Sequence, residues 1–170
     1  MRLLLGGMIV SLGLSAIPAQ AQQQQISNTQ VGAMVEALRL AAPKTGKKND
    51  GLYSEWQITP GIIPSWSKQC LRRELTPEQL EASPAKAREI VSCIARRELQ
   101  KQYVTSNNNE TAAVRRTACW WMTGNATGCN NGHTATYVQR VVDFYQQQSA
   151  KDSATQTATS SNYRPRTPKK

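Results

Sequence analysis

The sequence predicts an all-α fold: a small bundle of four or five helices stapled by two disulfides, with an irregular aromatic-rich segment over one side and disordered termini. Three observations predict it. The strongly periodic stretches repeat their apolar residues at i, i+3, i+4 and i+7, which is the period of a helix face. The apolar run without that period, Leu52 to Ser65, is broken by Pro60, Gly61 and Pro64 and has no second run to pair with; an isolated strand would leave its backbone groups unpaired. Finally, four cysteines follow a segment that reads as an export signal, and an even set in an oxidising compartment forms bridges.

That signal occupies residues 1–21. Arg2 supplies a positive start, Leu3 to Ile17 is an apolar run, and Ala19-Gln20-Ala21 has the small-x-small form of a cleavage site. The run is short and interrupted by glycine, which argues against a membrane span. The expectation is a soluble mature protein, secreted or periplasmic. Residues 22–49 form a leader: glutamines from Gln22 to Gln25, a helix over 28–42, then a basic linker. Val31, Met34, Val35 and Leu38 give that helix one apolar stripe, Gly32 weakens it, and Pro43 stops it. It needs a surface to dock on. The linker, with Lys47 and Lys48, reads as a solvated loop.

Residues 50–148 form the helical domain. Leu52, Tyr53, Trp56, Ile58, Ile62 and Ile63 belong to an extended segment that covers the core. Ser65 is placed to cap a short helix reaching about Arg73, with Trp66 and Cys70 one turn apart on it. Thr76 and Gln79 match a capping box, Pro77 fits the first helical position, and Leu75 with Leu80 matches a hydrophobic staple. Ser83-Pro84 then starts the longest helix, to Val104. Ala87, Ile90, Val91 and Ile94 make its buried stripe, while Arg88, Arg96, Arg97 and Lys101 mostly face away. Asn109 can cap the next helix, over 110–122, and Gly124 can end it. The last helix, over 133–148, buries Val138, Val141, Val142 and Tyr145. Residues 149–170 are rich in Ser, Thr, Ala and Gln without apolar periodicity, and read as a disordered basic tail.

Cys70, Cys93, Cys119 and Cys129 allow three pairings. Neighbours in sequence are the easiest to bring together, which favours Cys70–Cys93 and Cys119–Cys129. Their spacings of 23, 26 and 10 residues match no zinc pattern, there is no Cys-x-x-Cys, and His133 is the only histidine. Neither a metal nor another cofactor is expected. The formal net charge of +10 is concentrated on the flanks: residues 50–145 carry 11 basic and 9 acidic side chains. Such tails attract any anionic surface, so nucleic acid is an unlikely partner, and its binding would depend steeply on salt.

The search for chemistry yields no catalytic constellation. Gly-x-Ser-x-Gly does not occur, and the Gly124 to Gly128 stretch lacks the Lys-Ser/Thr of a phosphate loop. The glutamates sit on helices beside Arg or Lys, apart from Glu55, which lies between Tyr53 and Trp56. Asn109 and Asn125 each begin an Asn-x-Thr triplet, a glycan acceptor where the export path supplies one.

The densest cluster of unusual residues runs from Cys119 to Cys129. Adjacent tryptophans on a helix point about 100° apart, so Trp120 and Trp121 are both buried only under a wide cover. With Arg115, Arg116 and Asn125 they make a candidate binding surface beside a disulfide-closed loop. The function expected is therefore an exported, non-catalytic module that binds a protein or an anionic envelope surface. One alternative is a cell-wall polymer hydrolase with Glu55 or Glu98 as its acid, and another is weak electrostatic binding of nucleic acid through the tails.

Overall fold

The computed structural model describes residues 25–45 and 50–161, with side chains through residue 155. The signal, Lys47 and Lys48, and the tail beyond residue 161 lie outside the described residues. The fold is all-α, with six helices: α1 (Asn28–Ala41), α2 (Ile63–Leu71), α3 (Pro77–Glu81), α4 (Pro84–Thr105), α5 (Glu110–Thr123) and α6 (Gly132–Ser161). No strand is present among the described residues; the nearest thing is an isolated bridge between Tyr53 and Ile58.

The core is built around α1. Ser27 and Gln30 form a capping box at its start, a feature the sequence reading passes over. Met34 and Leu38 are fully buried, and so are Ala37 and Ala41 on an adjoining face. The small alanines let a second helix come close, so α1 is covered on two sides, mainly by α6 and also by α4. The stripe expected from the spacing accounts for four of the seven buried residues of α1.

Helices α4 and α5 pack against each other, and α5 packs on α6. Ala87, Ile90, Val91 and Ile94 of α4 are all buried, as their spacing requires. Asn109 Oδ1 caps α5 by accepting from Ala112 N at 2.9 Å, and Gly124, at φ 77°, ends it in the left-handed conformation that glycine adopts without strain. Thr76 and Gln79 form the capping box expected at α3, with Leu75 and Leu80 both buried around it.

Four local expectations need correction. Ser83 does not cap α4 with its side chain; Ser83 O accepts from Ala87 N at 3.0 Å, so backbone geometry alone starts the helix. Ser65 does not cap α2, because the helix has already begun: a 3₁₀ turn over Pro60–Ile62 leads straight into it. Pro64 sits in the first turn of α2, where a missing N–H costs nothing, and so does not break it. The last helix does not stop at Gln148 but continues to Ser161, without an apolar stripe of its own; Ser153 and Thr155 donate to the carbonyls of Ser149 and Lys151.

Between α1 and α2, residues 53–58 form a tight loop. Tyr53 N donates to Ile58 O at 2.9 Å and Ile58 N to Tyr53 O at 2.8 Å, with Ser54 and Gln57 at positive φ inside the turn. Trp56 is buried, and its Nε1 donates to Val35 O of α1 at 2.8 Å, which pins the loop over the core.

Both disulfides pair sequence neighbours. Cys70–Cys93 ties α2 to α4 across a Cα–Cα distance of 6.0 Å, and Cys119–Cys129 ties α5 to the loop before α6 across 5.8 Å. No helix among the described residues is long and apolar enough to cross a membrane.

Candidate functional site

Helix α5 presents two different surfaces. Its last turn carries Trp120, Trp121 and Met122, and these turn toward α2. Trp66 of α2 stacks on Trp120 with ring centroids 6.2 Å apart and meets Trp121 at 5.3 Å. Aromatic pairs at these separations contribute about 0.5–1.5 kcal/mol beyond the area they bury. The Arg97 guanidinium lies over the Trp120 ring, 5.9 Å from its centroid, and donates to Gln69 Oε1 at 2.7 Å. Trp120 and Trp121 are both half-buried, neither core residues nor free rings.

Beside this cluster runs an apolar groove of about 260 Å³. Leu52, Ile62, Trp66, Trp121, Met122 and Tyr137 are among its walls, and Trp56 contributes from within the pinned loop. Met122 is one of two large apolar side chains left substantially exposed among the described residues, at 39%. Two polar features sit in this apolar setting. Burial pushes the Tyr137 phenol well above its usual range, so it keeps its proton and remains a donor. Gln57, also lining the groove, has a buried Oε1 without a hydrogen-bond partner. A buried acceptor left unpaired costs about 1–3 kcal/mol.

The arginines singled out in the sequence lie elsewhere. Arg115 and Arg116 line a second cleft, between α5 and the loop closed by Cys119–Cys129. Asn125 lines neither cleft. Its Oδ1 accepts from Thr127 N at 3.1 Å and from Thr127 Oγ1 at 3.0 Å, so it shapes the loop. The surface read from sequence as one patch is thus two: the tryptophans with Trp66 and Arg97, and the arginines with the loop.

The two glutamates considered as acids are placed differently from a catalytic pair. Glu55 is exposed and pairs with Arg39 at 3.4 Å. Glu98 is buried on α4 and accepts from Gln102 Nε2 at 2.6 Å. Neither lines either cleft. Among the described residues no three His, Cys, Asp or Glu side chains converge as metal ligands would.

Trp66, Gln57, Met122 and Tyr137 were not read as site residues. They come from separate segments, and only Trp66, an aromatic one turn from a cysteine, and Met122, inside the Cys119 to Cys129 cluster, carry a signal in the sequence. No family model matches the chain, and no curated protein or solved structure matches it.

Proposed function

We propose that the protein is an exported, non-catalytic helical module that binds an extended apolar segment of a partner protein in the groove between Trp66 and Trp121. The observation that carries this reading is the groove itself: an aromatic-walled channel with Met122 exposed at its edge. Tryptophan and tyrosine recur at protein-binding hot spots because rigid rings bury much area, and methionine, flexible and polarizable, adapts to the shape of a partner. Two disulfides suit the oxidising compartment to which residues 1–21 would direct the chain.

The test uses the tryptophans as their own reporters. A displayed library of extended peptides is selected on the full chain, and the enriched peptides are titrated by tryptophan fluorescence. Peptides rich in apolar residues should give a saturable change, and Met122→Asp should weaken them about tenfold by placing a charge where apolar surface must be buried. Thermal stability should be unchanged, because Met122 is exposed. Peptides that bind Met122→Asp as well as the parent chain would remove the groove from the account.

A further inference from the structure

The second cleft is about 290 Å³. Arg115 and Arg116 of α5 and residues 126–130 of the disulfide-closed loop line it, with Ala112, Val138 and the cysteine bridge completing the lining. Surface arginines are commonly neutralised by a carboxylate. These two are held by carboxamides instead. Arg115 donates through NH1 to Gln139 Oε1 at 2.9 Å, and Arg116 through Nε to Gln102 Oε1 at 2.7 Å.

Each glutamine is in turn oriented from behind by an acid. Gln139 Nε2 donates to Asp143 Oδ1 at 2.8 Å, and Gln102 Nε2 donates to Glu98 Oε1 at 2.6 Å. An amide whose N–H is committed to a carboxylate must turn its oxygen the other way, toward the arginine. The buried Gln102–Glu98 relay therefore orients the Arg116 guanidinium, the exposed Gln139–Asp143 relay gives Arg115 a second such partner, and both acids stay one residue removed. Among the described residues neither arginine makes an ion pair. Each commits one N–H to its glutamine, which leaves the rest of the fork available. In the loop, the N–H groups of Gly128, Cys129 and Asn130 make no hydrogen bond among the described residues. The Cys119–Cys129 bridge fastens that wall to α5.

We infer that this cleft binds a phosphoryl group carried on a small organic body, with Arg115 and Arg116 on one side of the phosphate and the loop amides on the other. Two guanidinium charges without direct counter-ions match the charge of about −1.5 to −2 on a phosphomonoester at neutral pH. The volume exceeds what a bare phosphate fills, and the lining of Ala112, Val138 and the disulfide suits an apolar substituent.

The experiment titrates the full chain with phenyl phosphate at constant ionic strength and follows ¹H–¹⁵N spectra. Saturable shifts are expected at the amides of Gly128, Cys129 and Asn130 and at Arg116 Nε–H. The double variant Arg115→Gln/Arg116→Gln should weaken binding by about tenfold or more. Should that variant fold poorly, Arg115→Gln alone, on an exposed side chain, should still weaken it measurably. A second arm measures sedimentation with vesicles containing phosphatidic acid, whose headgroup is a phosphomonoester. Arginine-dependent sedimentation identifies the phosphate as a lipid headgroup, and phenyl phosphate binding without sedimentation identifies a soluble ester. Shifts that stay linear, or that persist undiminished in the arginine variants, would overturn the inference.

Discussion

Single residues show where the bundle is finely adjusted and where it is not. Thr117 is fully buried on α5, and its hydroxyl has no hydrogen-bond partner among the described residues. Threonine and valine have nearly the same shape, so Thr117→Val removes an unpaired hydroxyl without opening a cavity. Chemical denaturation should show a gain of about 1 kcal/mol. A loss would mean that the hydroxyl has a partner, such as an internal water. Glu36 makes the opposite case. Hydrogen bonds from Arg39, aided by the charges of Arg39 and Arg88, hold its carboxyl below the usual glutamate range. A carboxyl that ionises more readily in the folded chain stabilises that chain above the unfolded-state pKa, and loses this contribution as pH falls through the folded value. Glu36→Gln should therefore lower stability at neutral pH by at most about 1 kcal/mol, and the gap to the parent should close on acidification below about pH 4. A gap independent of pH would place the loss in packing and not in charge.

At the scale of elements, α1 shows most clearly what is hidden in the sequence. Its stripe of Val31, Met34, Val35 and Leu38 was legible because those residues are large and regularly spaced. Its second buried face was not, because Ala33, Ala37 and Ala41 read equally well as helix formers and as contact residues; only the neighbours decide. Gly32 is the weak point of this helix. It is exposed, and a Cβ built on it meets nothing within 4 Å. Gly32→Ala should stabilise the chain by about 0.5–1 kcal/mol, read from the denaturation midpoint, by reducing the freedom of the unfolded backbone. An unchanged or lower midpoint would show that the start of α1 frays before global unfolding. Caps divided in the same way as faces. Thr76 and Asn109 use their side chains at the N-cap, whereas Ser65 lies inside a helix that the Pro60–Ile62 turn has already started, and Ser83 holds the N-cap position of α4 through its backbone alone. The extension of α6 past Gln148 carried no signal, since its residues have no apolar face to mark them as helical.

For the whole molecule, the disulfides and the fold class were legible because they depend on spacing and period, which a linear sequence displays. Each bridge contributes about 2–4 kcal/mol, mainly by restricting the unfolded chain. The groove was not legible. Its walls gather the end of α1, the pinned loop, α2, the last turn of α5 and the start of α6, and no local pattern brings residues 52, 66, 122 and 137 together. The basic excess lies on flanks mostly outside the described residues, so the groove's apolar walls and not the net charge distinguish this surface.

Site-specific crosslinking tests whether the groove holds a partner. A photo-crosslinking amino acid replaces Met122 or, as the control, Val104; both are 39% exposed, and Val104 lies away from the groove. Irradiation of cells expressing the full chain should give a discrete adduct from position 122, none of that mass from position 104, and loss of the adduct when Trp121→Ala is added. The same adducts from both positions, or an adduct indifferent to Trp121→Ala, would contradict the claim that this protein works by binding in its tryptophan groove.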